Sequence, residues 1–230
     1  MQKLTIKNRK NQNIVVLLEP AEKQKGLAFV MHGLSGFKEQ PQIEIFAKAF
    51  RDNNYTVVRF DTTNTFGESD GKYEDATVTN YYEDLEDVIA WSKSQSWYEK
   101  PFCLAGHSLG GFCVAYYAVN HNEEVKAVAP ISPFISGELS LIAYGNEEID
   151  DWQKTGWKIF KSKSTPGLIK KLKWSHMEDR LKYNLLLDAN KLIMPVLIID
   201  GEFYENDTPI PVENQRLLFN KVSGKKSCIL

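Results

Sequence analysis

At 230 residues, 43% of them hydrophobic and 25% charged, the chain is sized for one soluble domain with a substantial core and is too short for two comfortable ones. A formal net charge of −2 offers no global attraction for nucleic acid or an acidic membrane. No apolar run approaches the roughly 18 residues of a membrane-spanning helix, and the polar opening MQKLTIKNRKNQN lacks the apolar stretch of a secretory signal.

Two short β patterns, LTIKN and NIVVLLEP, come first and read as an antiparallel edge hairpin. The continuous apolar run from Gly26, GLAFVM, leads into His32-Gly33 and suits a strand buried on both faces of a parallel sheet. IEIFAKAFRDNN follows with helical spacing (Ile45, Phe46, Ala49, Phe50) and a stop at Asn53-Asn54. Next come the strand Tyr55-Thr-Val-Val-Arg-Phe up to Asp61, a long polar loop, and the helical pattern VTNYYEDLEDVIAWSKSQ. Strand PFCLAG, helix GGFCVAYYAVNHN and strand VKAVAPIS form a further unit. PVLII, the helix VENQRLLFNKV and a strand starting at KSCIL close the chain. This alternation predicts an α/β fold, a mostly parallel central sheet with helices on both faces, whose reactive groups sit at the carboxyl ends of the strands. The rhythm breaks over about 134–193, a segment rich in Trp and Lys, which reads as a small cap inserted into a single domain spanning 1–230.

Gly106-His107-Ser108-Leu109-Gly110-Gly111 carries the chemistry. It stands between an apolar strand and an apolar-faced helix, the context a G-x-S-x-G nucleophile elbow requires. Ser108 must occupy a strained turn to project its hydroxyl, and the glycines two residues away on either side admit the close backbone approach. The helix start also offers unpaired N–H groups, that of Leu109 among them, to a developing oxyanion. A phosphate-binding loop is excluded by the missing lysine of that motif. The three cysteines, Cys103, Cys113 and Cys228, show no metal-ligand spacing. Cys103 and Cys113 lie in apolar stretches and read as buried free thiols of a reducing compartment, hence an expected cytoplasmic location. No metal or organic cofactor is implied.

The stretches FVMHGLSG, VVRFDTTNTFGESDGKYED, CLAGHSLGG and MPVLIIDGE, with the order of elements, resemble the α/β-hydrolase superfamily. Within it the chain is similar to the capped esterases that include cinnamoyl and feruloyl esterases, and to the serine aminopeptidase-like hydrolases. The resemblance implies that the N–H of Leu34, after His32-Gly33, is the second oxyanion donor, and that His32 shapes the loop. It departs from the pattern after Asp61, where Thr62-Thr63-Asn64-Thr65-Phe66-Gly67 replaces Arg-Gly-x-Gly. Asp61 falls too early for the Ser–Asp–His order and reads as a loop anchor. Relatives place the acid after the strand PVLIID. Aligning on Ile210-Pro211 puts Asp207 there, with Glu205 in reserve, whereas aligning from Gly201 puts Tyr204 there, which cannot serve.

In relatives the base is a histidine after the last strand, and no histidine follows His176 in this sequence. Two expectations compete: that the last strand and C-terminal helix are cut short and the histidine lies beyond Leu230, leaving this chain weakly active or inactive, or that His176 reaches Ser108 from the cap. His107 reads as structural. The cap's Trp152, Trp157 and Trp174 interleave with lysines, either as a solvated lid packed on the body or as an acyl slot with cations near its mouth for acidic substrates. The expected function is a serine hydrolase cleaving a small carboxylic ester through an acyl-enzyme on Ser108, with no nucleic-acid or membrane partner. An amidase, peptidase or thioesterase on the same site and a catalytically silent binding scaffold are the alternatives.

Overall fold

In a computed structural model, which describes residues 1–162, 167–201 and 212–229, the opening patterns pair as an antiparallel hairpin of β1 (Gln2–Lys7) and β2 (Asn13–Glu19). β1 is the edge, because β2 also pairs antiparallel with a later strand. The run Gly26–Met31 is β3, buried at every position as its unbroken apolar character requires. Helix α1 (Pro41–Arg51) starts two residues ahead of the apolar pattern, with Pro41 at its first position, where the missing N–H costs nothing. Asn54, at φ 65°, turns the chain into β4 (Tyr55–Phe60). Helix α2 (Val78–Ser92) is capped by the Thr77 hydroxyl, which accepts from the Asn80 N–H. Then follow β5 (Phe102–His107), α3 (Leu109–Asn120) and β6 (Val125–Ile131).

The segment between β6 and the next strand of the main sheet contains α4 (Gly137–Tyr144), α5 (Asn146–Thr155), β7 (Trp157–Lys161), β8 (Ile169–Lys173) and α6 (Ser175–Arg180). β7 and β8 form a separate antiparallel two-stranded sheet, an element the sequence pattern does not announce. The chain returns to the main sheet through β9 (Val196–Ile199), α7 (Val212–Lys221) and β10 (Lys226–Ile229).

The eight strands lie in the order β1-β2-β4-β3-β5-β6-β9-β10 and run parallel from β4 onward. Strands that pack both faces split their side chains between two apolar clusters. On one face Val30, Val57, Ala105 and Ile131 meet Ile43 and Ala47 of α1. On the other Phe29, Val58 and Leu104 meet α2, α3 and, through Leu218 and Val222, the α7 end of the molecule. Cys103 and Cys113 are buried free thiols and Cys228 is exposed. Among the described residues no helix is long and apolar enough to cross a membrane.

Candidate active site

β5 ends at His107 and α3 begins at Leu109, so a single residue makes the turn. That residue, Ser108, has φ 53° and ψ −115°, a sparsely populated conformation for a side chain bearing a Cβ. Two backbone bonds hold it there. Its N–H donates to the Ile131 carbonyl at 2.8 Å, and its carbonyl accepts from the Phe112 N–H at 3.0 Å. The flanking glycines allow this closure: a Cβ on Gly106 would lie 2.4 Å from the Gly110 carbonyl oxygen, and one on Gly110 would lie 2.3 Å from that of His32. The elbow is thereby pressed against the end of β3. Ser108 is half-buried, and no described group hydrogen-bonds its hydroxyl.

The loop after β3 comes alongside. A Cβ on Gly33 would meet that of Ser108 at 3.0 Å. The loop closes tightly, with the Gly36 N–H donating to the Gly33 carbonyl at 2.9 Å and Ser35 at φ 60°. Among the described residues the N–H groups of Leu34 and Leu109 have no acceptor. Leu109 owes this to its place at the first position of a helix, where no carbonyl one turn back exists.

The four histidines are placed elsewhere. His32 is fully buried; its Nε2 accepts from the Thr62 N–H at 3.1 Å and its Nδ1 donates to the Gly33 carbonyl at 2.8 Å. Both ring nitrogens are used, and burial lowers its pKa, so the ring is a neutral strut of the loop. His107 lies with its ring beside Gly33, its pKa also lowered by burial. His121 stacks on Tyr117 at the far end of α3. His176 donates from Nδ1 to the Ala76 carbonyl at 3.0 Å, and its buried Nε2 has no partner among the described residues, so it makes no bond to Ser108.

Asp61 anchors its loop: it accepts from the Lys38 N–H and ammonium, each at 2.7 Å, and from the Glu68 N–H at 2.8 Å. The ion pairs of Lys38 with Asp61 and Glu68 outweigh the lowering that burial brings and raise the pKa of Lys38. Asp207, Glu205 and Tyr204 lie outside the described residues. An acid that sequence reasoning passed over, Asp200, stands directly after β9. It is 5% exposed; one carboxylate oxygen accepts from the Ser132 hydroxyl at 2.6 Å, and the other is buried without a partner among the described residues. The signal available for it was its position at the carboxyl end of a parallel strand next to β6. Among the described residues no group of three or more His, Cys, Asp or Glu side chains is arranged to hold a metal ion.

A strained serine between strand and helix, at the carboxyl edge of a mostly parallel sheet, defines an α/β hydrolase. The chain belongs to the family described as serine aminopeptidase, S33, whose profile matches residues 22–175. No curated protein sequence matches it. Among solved structures it is similar to Est1E from Butyrivibrio proteoclasticus with ferulic acid bound, with a TM-score of 0.78 at 22% identity over 98% of this chain and 88% of that one. It is also similar to mouse alpha/beta hydrolase domain-containing protein 10, with a TM-score of 0.79 at 19% identity over 100% and 88% of the two chains. The alpha/beta hydrolase GrgF from Penicillium sp. sh18 gives a TM-score of 0.79 at 18% identity over 99% and 88%. At these identities the likeness concerns the fold.

Proposed function

We propose that the protein is a serine esterase that cleaves a small carboxylic ester at Ser108. The observation that carries this reading is the elbow, a hydroxyl presented at φ 53° and flanked by two amides, all without a hydrogen-bond partner among the described residues. In this reaction the Ser108 oxygen bonds to the ester carbonyl carbon while its proton passes to a base. The carbonyl oxygen becomes an oxyanion held by the N–H groups of Leu34 and Leu109. The C–O bond to the alcohol then breaks, and the alcohol leaves with that proton. Water, losing a proton to the same base, attacks the acyl-enzyme, and the carboxylic acid departs as Ser108 regains its hydroxyl. Asp207 is the proposed acid that orients the base, with Glu205 in reserve. The buried thiols of Cys103 and Cys113, their pKa values raised by burial, fit a reducing, cytoplasmic setting.

A second reading has its own observation. None of the four histidines lies in hydrogen-bond contact with Ser108, which favours a binding scaffold without turnover. Fluorophosphonate labelling with mass mapping, beside hydrolysis of short p-nitrophenyl esters with and without added imidazole, separates the two. Labelling at Ser108, and turnover that imidazole raises and Ser108→Ala removes, support the esterase. A folded protein that labels nowhere and turns nothing over, with imidazole present, is a scaffold. Faster cleavage of aminoacyl amides than of esters would move the same site to the peptidases.

A further inference from the structure

Two lysines of the cap hairpin lie on its inner side. Hydrophobic patterning turns apolar residues inward and lysines out, and Phe160 and Leu172 follow it, but Lys158 and Lys170 share their side while Ile159 and Ile169 are 60% and 58% exposed. A slip of one residue would have reversed every side chain. Lys170 is 8% exposed, and its ammonium donates to the Ser35 hydroxyl at 2.8 Å. That hydroxyl is neutral, and Lys170 pairs with no carboxylate among the described residues. Burial lowers its pKa with nothing set against it.

A second cation repeats the pattern. Arg180 at the end of α6 is 5% exposed, donates from Nε to the Ser140 hydroxyl at 2.8 Å and lies 3.9 Å over the Phe134 ring. It too has no carboxylate partner among the described residues, and burial lowers its pKa. Buried charges are ordinarily paired, because an unpaired one loses its hydration without compensation. Violations of this kind concentrate where a ligand completes the site.

The two cations contact the segments that follow the strands on either side of β5. Lys170 touches the loop after β3, one residue beyond Leu34, and Arg180 touches Phe134 in the segment after β6. β5, which carries Ser108, lies between β3 and β6. Tyr73 lies near Ser35, which Lys170 contacts, and near Tyr144, which acts on Arg180.

We propose that Lys170 and Arg180 form an anion subsite in the cap that selects esters whose acyl part carries a carboxylate, such as half-esters of a short dicarboxylic acid. The inference rests on the esterase reading for the reaction and on the cap alone for the binding. It is tested with two ligands and two substrates. Calorimetric titration with glutarate, and with glutaramide as its neutral counterpart, reads the subsite without catalysis. The kcat/KM for mono-p-nitrophenyl glutarate against p-nitrophenyl valerate reads selectivity. Both are repeated on Lys170→Met and Arg180→Met, with thermal melts to show folding.

The expected result is saturable binding of glutarate and not of glutaramide, a preference for the anionic ester of about tenfold or more, and loss of both in the variants. Removing an unpaired buried charge also leaves the ligand-free Lys170→Met protein at least as heat-stable as the parent. Hydrolysis of both esters at equal efficiency with no glutarate binding overturns the subsite and leaves the esterase standing. Glutarate binding that the variants abolish, with neither ester cleaved, keeps the subsite and rejects the esterase. Failure of the parent protein to bind glutarate overturns the proposal even where a variant does not fold.

Discussion

His176 illustrates how a single buried group sets a property of the solution. Its ring lies parallel to Trp152 at an interplanar angle of 14°, one nitrogen bonded to Ala76 and the other to nothing. Burial, with Arg180 close by, lowers its pKa to about 3. In the unfolded chain an imidazole titrates near 6.5, so between those values the unfolded state binds a proton that the folded state refuses. The stability this neutral ring retains is complete above about pH 6.5 and drains away as pH falls, at about 1.4 kcal/mol per pH unit. His32, also buried and lowered, adds a contribution of the same sign. Urea melts of the parent at pH 7 and pH 5 should therefore show a loss to which His176 contributes about 2 kcal/mol. His176→Asn keeps a donor for Ala76 and should shrink that loss by about the same amount. Parallel losses in the two proteins would mean that His176 is solvated and titrates normally. At this scale legibility followed sequence distance. Ser108 was readable because an elbow needs its neighbours within two residues. Ser132 with Asp200, 68 positions apart, and Ser35 with Lys170, 135 apart, leave no trace in any local window.

One helix end of the 134–193 segment bonds directly to α2. Asp179 of α6 accepts from the N–H of Thr79 at 2.8 Å and from its hydroxyl at 2.8 Å. Thr79 lies in the first turn of α2, where the N–H groups lack helical acceptors and the dipole favours a carboxylate. Burial raises the pKa of Asp179, but the bonds from Thr79 and Lys182 more than reverse this, and it ends below its ordinary value. Asp179→Ala strands a part-buried amide and hydroxyl and should cost about 1–3 kcal/mol. The loss belongs to the cap, so limited trypsin digestion should cut first at the lysines of 154–173 and leave the sheet intact. First cuts within the sheet would show that the cap and body unfold as one. The irregular stretch between β6 and β9 was legible as a break in the strand–helix alternation. Its hairpin was not, because WKIFK and IKKLK place lysine where a half-buried strand ordinarily shows an apolar residue, and only the paired register reveals which face is inward.

For the whole molecule the alternating strands and helices were enough to give the parallel sheet and its reactive edge, since each buried strand must find a partner and each amphipathic helix a face. How evenly the helices divide between the faces is a different matter. Periodicity says that a helix has an apolar side, not which layer it joins. Here α1 covers β3, β4 and β5 on one face, while α2, α3 and α7 crowd the other. Beyond α1 the sheet face over β6, β9 and β10 opens into a groove of about 430 Å³, lined by Phe50, Cys103, Ala127, Ala129, Pro195 and Leu197 among others. Contiguous apolar surface of this kind binds apolar probes. A naphthalene-sulfonate dye should therefore fluoresce with the native protein well below any unfolding transition. Leu197 points to this side, half-buried in β9. Leu197→Lys should remove roughly half of the dye signal, because one of the groove's larger apolar walls becomes charged. Its melting behaviour should shift little, since the change is at a part-exposed position away from the larger core. A dye signal that the substitution leaves untouched would place the accessible apolar surface elsewhere, and the cap, with Ile159 and Ile169 turned outward, would be the next place to substitute.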